Sequence, residues 1–184
     1  MRLHVFGFEP FGKHDVNPSQ LVVEEIGGTV LPVSYARAAD MLRETLSETA
    51  YPEVVICLGL ADERTVISVE RFAHNLDEAS TIDNEDAAGS GAEIEPGAPL
   101  ALASTLPVDE IVSALQAQGL PAEVSRDAGG FLCNHVFYVL MRSLRETQVG
   151  GFVHVPPLDV LPLERLLEAA RVIVATCALH TSSS

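Results

Sequence analysis

Basic side chains are scarce in this sequence. Lys and Arg total 11 against 26 Asp and Glu in 184 residues, a formal net charge of −15. That balance repels nucleic acid and anionic membrane surfaces, so neither is expected as a partner. Cysteine is scarcer still: Cys57, Cys133 and Cys177 are an odd number without CxxC spacing, which argues against a disulfide framework and a structural zinc site. No uninterrupted apolar run reaches membrane-spanning length. The opening "MRLHVFGFEPFG" lacks the apolar stretch and small-residue cleavage site of a secretory leader, and no repeat occurs at solenoid or propeller periods. With 47% hydrophobic and 20% charged residues the composition is globular rather than disordered. The expectation is a soluble, cytoplasmic protein folded as one domain over residues 1–184.

Strand and helix patterns alternate along most of the chain. "RLHVFGF" reads as a strand and "EPFGKHDVNP" as the loop after it. Asn17 before Pro18 is a helix start, a capping side chain followed by proline in the first turn, and Gly27-Gly28 ends that helix. "TVLPVS" is a strand that Pro32 marks as an edge, and "ARAADMLRETLSET" is an amphipathic helix with Ala38, Met41, Leu42 and Leu46 on one side. "EVVICLGL" is an apolar run of strand length, as a central strand buried on both faces requires. "RTVISVERFAHNLD" brings back β-branched residues. Residues 77–97 then form a long acidic loop without Lys or Arg, readable as a solvated insertion or as a lid over a site. Helices follow at "PVDEIVSALQAQG", from near Cys133, and through "LERLLEAARVIVATCAL", with strands at "PAEVS" and "GGFVHVPP". The alternation predicts an α/β fold, a three-layer α/β/α sandwich around a largely parallel, mixed sheet.

In such sheets ligands bind beyond the carboxyl ends of the strands, and several reactive groups fall at predicted strand exits. Glu70 lies near the end of "TVISVER" and His154 near the end of "GFVHV". Cys133 opens a helix after Gly129-Gly130, where unpaired amides and the helix dipole favour a thiolate. Cysteine, histidine and a carboxylate are the ingredients of an activated-thiol nucleophile. The competing reading makes Cys133 one more small buried hydrophobe and His154 a structural strand histidine, with His4, His14, His74, His135 and His180 as rivals. "CNH" sets Cys133 and His135 two apart, on different sides of a helix, which speaks against a shared metal.

"GFEPFG" with "NPS" after it, "ISVERFAHN", "DN" at Asp83-Asn84, "STLP", "AGGFLCNHVFY" and "GFVHVPPL" occur in that order from Phe6 to about Leu158. Together they resemble pyroglutamyl-peptidase I, the pyrrolidone-carboxylate peptidase family of cysteine peptidases. The resemblance implies a phosphorylase/hydrolase-like α/β/α fold and a thiol exopeptidase that removes an N-terminal pyroglutamyl residue from peptides through a thioester acyl-enzyme. It implies no cofactor and no metal, and leaves a homo-oligomer open. It assigns the nucleophile to Cys133, the general base and acid to His154, the orienting carboxylate to Glu70, and the grip on the lactam ring to Phe11 and Phe131. The sequence departs from the family in three places. "EASTIDN", with Ser80 and Thr81, stands where many bacterial relatives have "DARIPDN" and its arginine. "ADERT" replaces a glycine-rich turn, and Lys13 follows Gly12 where a second glycine is usual. The lost arginine motivates the alternative, a drifted, non-catalytic small-molecule-binding relative.

Overall fold

The computed structural model describes residues 2–47, 52–78 and 81–183. Thirteen elements follow one another among them: β1 Leu3–Phe8, α1 Pro18–Ile26, β2 Thr29–Leu31, α2 Tyr35–Ser47, β3 Val54–Leu60, β4 Ile67–Glu70, β5 Phe72–His74, β6 Ala101–Ala103, α3 Val108–Ala117, β7 Ala122–Ser125, α4 Leu132–Ser143, β8 Val149–Val155 and α5 Leu163–Ser183. Six strands form one sheet in the order β2-β1-β3-β8-β4-β7. The first four of that order run parallel; β4 pairs antiparallel with β8 and parallel with β7, so the sheet is mixed as expected. A ribbon of β5 and β6 lies outside it.

Period-two alternation along β3 divides the interior. Val54, Ile56 and Leu58 enter a core shared with buried residues of α1, α3 and α5, whereas Val55 and Cys57 enter one shared with α2 and α4. Every residue of β3 is buried, which is why its sequence is continuously apolar. Each large side chain sequestered on these faces is worth about 1.5–3 kcal/mol relative to exposure, so the α4 stripe of Val136, Phe137, Val139 and Leu140 anchors that helix firmly.

Local signals explain the helix ends. The Asn17 side chain accepts from Ser19 N at 3.0 Å, and Gly27 takes the left-handed conformation at φ 77°. Three expectations need correction. Met41 is exposed, and Ala39 joins Ala38, Leu42 and Leu46 on the buried face of α2. The stretch "ISVERFAH" is two strands, because the chain leaves the sheet at Arg71, and β6, its ribbon partner, had no sequence signal beyond a short "ALA". The acidic loop is no free insertion. Asp83 accepts from the backbone of Tyr35, Glu85 and Ala87, Asn84 donates to Pro10 O, and Arg142 forks onto Glu95. Among the described residues no helix is long and apolar enough to cross a membrane.

Candidate active site

His154 is the penultimate residue of β8, 3% exposed, and its Nδ1 lies 2.8 Å from Glu70 Oε1. A carboxylate can only accept, so Nδ1 carries the proton and Nε2 keeps its lone pair. The route by which Glu70 reaches the ring differs from a common strand exit. Because β4 is antiparallel to β8, Ser68 pairs with His154 and Val69 with Val153, which sets Glu70 deeper in the sheet than His154. Ser68 and Glu70 share a sheet face, so the carboxylate approaches the imidazole diagonally along that face. Glu70 is fully buried, and Arg64 from the β3–β4 connection donates to the same Oε1 at 2.6 Å.

Cys133 is the second residue of α4, and the preceding Phe131 caps the helix without a side-chain hydrogen bond. The first-turn amides are thus left without a capping side chain. A Cβ on Gly59 would stand 3.0 Å from Cys133 Sγ, so the sulfur rests directly over that glycine. Gly59 pairs with His154 in the β3–β8 register. The Cys133 sulfur and the His154 imidazole therefore occupy adjacent positions on one sheet face, and only a residue without a side chain leaves the sulfur its place. Cys133 and His154 line one open cavity of about 490 Å³, together with Phe11, Asp62, Glu63, Arg64, Thr81 and Asp127. Among the described residues no hydrogen bond joins the sulfur to the ring. Such contacts commonly close only around bound substrate.

The charge state of the pair corrects the expected thiolate. Burial pushes the Cys133 thiol up to about 12, and the nearby Glu70 charge adds to this against the opposing Arg64 and the helix amide. Burial also holds His154 below the usual histidine range, although Glu70 pulls it upward. Both shifts favour the uncharged forms, a neutral thiol beside a neutral imidazole. Cys57 and Cys177 are buried and also pushed up by desolvation, whereas Cys133 is partly exposed. Iodoacetamide is therefore expected to modify Cys133 first, slowly near neutrality and faster as pH rises. Peptide mapping after partial reaction checks this, and equal labelling of all three cysteines would contradict it.

The two predicted ring-holding residues meet at the same place. Phe11 and Phe131 line a narrow slot with Phe8, Val33, Leu60 and Cys133, their ring centroids 5.9 Å apart and tilted by 44°. At that separation they touch each other and leave no room for a flat ring between them. Phe11 is half-buried rather than free in solvent.

The remaining histidines are occupied elsewhere. His4 meets Thr29, His14 meets Asp62, His74 meets the Arg126 carbonyl, His135 meets Asp77 and His180 meets Glu110. Asn134, beside Cys133, staples α4 to the backbone of His74 and Leu76. Sequence reasoning missed Gly59 and Arg64. The glycine next to the end of an apolar strand was a visible signal, and so was Arg64, the arginine that follows the family's glycine-rich turn, although neither received a role. Ser80 lies outside the described residues, and Thr81 lies on the cavity wall. Among the described residues no group of three His, Cys, Asp or Glu is arranged to hold a metal ion.

A family model described as pyroglutamyl peptidase matches residues 1–170. The pyrrolidone-carboxylate peptidase of Gloeobacter violaceus is 46% identical over 168 residues, covering 85% of this chain and 82% of that protein. The crystal structure of pyroglutamyl peptidase I from Bacillus amyloliquefaciens superposes with a TM-score of 0.92 at 34% identity, over 97% of this chain and 95% of that one. A mutant pyrrolidone carboxyl peptidase from Pyrococcus furiosus gives a TM-score of 0.92 at 34% identity, over 98% and 99% of the two chains. With its family model matched over nearly its whole length and its fold shared throughout, this chain belongs to the pyroglutamyl peptidase family of cysteine peptidases.

Proposed function

We propose that residues 1–184 form one catalytic domain that cleaves the N-terminal pyroglutamyl residue from peptides, with Cys133 as nucleophile, His154 as general base and acid, and Glu70 as the orienting carboxylate. One observation carries the assignment: a buried His154–Glu70 pair in register with Gly59, over which the Cys133 sulfur sits at an open cavity. The neutral resting pair makes His154 a base at the moment of attack. Nε2 takes the thiol proton as sulfur adds to the pyroglutamyl carbonyl, and the imidazolium that forms is stabilised by Glu70. First-turn amides of α4 lie near the sulfur and can receive the developing oxyanion. His154 then protonates the departing amine, and the thioester remains. Water, deprotonated by the same nitrogen, releases pyroglutamate and restores the thiol.

Phe11 and Phe131 are the proposed grip on the lactam. Because they touch in this structure, the ring enters by parting them. A nucleophilic thiol has to stay reduced, which supports a cytoplasmic site of action. The family match favours catalysis over the drifted, binding-only alternative. Release of coumarin from a pyroglutamyl-coumarin amide by purified protein tests the reading, and no release above the rate of a Cys133→Ala control would sink it.

Phe131→Ala removes one wall of the slot and is expected to cost about 1.5–3 kcal/mol in kcat/KM, roughly ten- to a hundredfold. Because the Phe131 ring also packs against Phe11 and Tyr35 at the start of α4, its loss loosens the segment that places Cys133, and kcat should fall together with substrate affinity. Steady-state kinetics check this; unchanged kcat and KM would remove the residue from the site.

A further inference from the structure

We propose that Arg64 is a positioning residue of the catalytic centre, bridging the buried Glu70 carboxylate to the main chain of the loop that delivers Cys133. The proposal rests on the reading of Cys133, His154 and Glu70 as the reacting set. One arm of the guanidinium donates to Glu70 Oε1 at 2.6 Å, the oxygen that also receives His154 Nδ1. The other arm donates to Asp127 O at 2.8 Å, in the segment between β7 and α4. A single planar cation therefore ties the acid and histidine, on β4 and β8, to the segment that runs from β7 into the nucleophile's helix, adding a side-chain link beyond the last strand pair, Glu70 with Ser125.

The Glu70 side chain is wholly buried, and its second oxygen, Oε2, has no hydrogen-bond partner. A buried carboxylate so poorly served needs a cation at its one satisfied oxygen. Arg64 supplies that charge, and its fork geometry allows the second bond to the carbonyl, which an ammonium would not hold in the same plane. The groups facing His154 are Glu70 from β4, Arg64 with the rim acids Asp62 and Glu63 from the β3–β4 connection, Asp127 from the β7–α4 segment, and Cys133 from α4. Among them Arg64 is the only cation. It opposes protonation of the imidazole, which keeps Nε2 free to accept the thiol proton.

Two variants of the full chain test the role, Arg64→Gln and Arg64→Lys. The first readout is the NMR titration of the His154 ring, which needs no substrate. In Arg64→Gln the midpoint should rise by about one pH unit, the usual effect of removing a like charge from a partner a few ångströms away, whereas Arg64→Lys should leave it near the parent value. The second readout is steady-state cleavage of the pyroglutamyl-coumarin amide. Arg64→Gln should lose roughly ten- to a hundredfold in kcat with little change in KM, because Arg64 acts through the reacting groups. Arg64→Lys should lose less, keeping the charge without the fork. A folded Arg64→Gln protein with the parent's His154 midpoint and the parent's kcat overturns the proposal. Should Arg64→Gln fail to fold, Arg64→Lys decides: reduced kcat with an unmoved midpoint supports the bridge, and the parent's kcat overturns it. A parent protein inert toward the substrate, whose His154 midpoint nonetheless rises in Arg64→Gln, would overturn the peptidase reading and leave the positioning role standing.

Discussion

Cys133→Ala and His154→Ala are each expected to lower kcat by about 10⁴–10⁶-fold, with the fold retained. The reasons differ. Without the sulfur no acyl-enzyme forms, and the amide can only be hydrolysed by water held against the first-turn amides of α4. Without the imidazole the thiol keeps its proton, since burial pushes it up to about 12 and leaves almost no thiolate near neutrality. The double variant should therefore be scarcely worse than either single one, because the two residues act as a unit. Cys133 packs only at the margin of the α2/α4 core and His154 against Phe152 beside the open cavity, so thermal melting should fall only modestly. Loss of activity accompanied by loss of the folded state would point to a structural role. Retention of more than about a hundredth of the parent's kcat by the cysteine variant would mean that another group attacks.

The layers of the fold could be read from the chain because each strand and helix buries a face whose periodicity the sequence displays. β3 is continuous because both its faces are covered, and α4 is apolar without a break from Val136 to Leu140 because α2 and the β5–β6 ribbon cover it as well as the sheet. The ribbon β5–β6 was not legible: its three-residue strands bury little and draw their stability from α4 and the loop around them. The antiparallel sense of β4 was equally hidden, since strand direction depends on how connections route through space and leaves no trace in four residues of alternating apolar and polar type. At the site, Cys133, His154 and Glu70 were each visible as reactive types near element ends. Their union was not, being made by the Gly59–His154 register and a diagonal across β4 and β8. The protonation state was misjudged for a physical reason. A helix start is visible in a sequence and argues for a thiolate, but the burial that overrides it depends on packing by residues far away in the chain. The motifs around the site proved to be staples. Asn17 secures the loop that carries Phe11, Asn134 holds α4, and Asp83 with Asn84 ties the acidic loop to α2 and to Pro10.

Glu70→Ala is expected to reduce kcat by about 10³–10⁴-fold, the scale seen when the carboxylate of a catalytic triad is disabled. It removes the acceptor that fixes the imidazole tautomer and leaves the Arg64 charge uncompensated beside His154. Glu70→Gln should be far milder, about ten- to a hundredfold, and the geometry says why. Arg64 and His154 both donate to the single oxygen Oε1, while Oε2 meets no partner. A glutamine can place its carbonyl oxygen at the first position and its amide nitrogen at the second, so the tautomer survives and only the charge is lost. A charge-assisted bond exceeds a neutral one by about 1–2 kcal/mol, which sets that scale. The pH dependence separates the two contributions. Activity needs neutral His154, so kcat/KM falls on acidification through the histidine's midpoint, which burial places below the ordinary value of about 6.5. The Glu70 charge raises that midpoint, so Glu70→Gln should move the acid limb to still lower pH, opposite in sign to the shift expected for Arg64→Gln. A Glu70→Gln limb that stays at the parent's position would show that this carboxylate carries no charge felt by the imidazole. A Glu70→Gln protein as impaired as Glu70→Ala would show that the shared oxygen alone does not hold the tautomer.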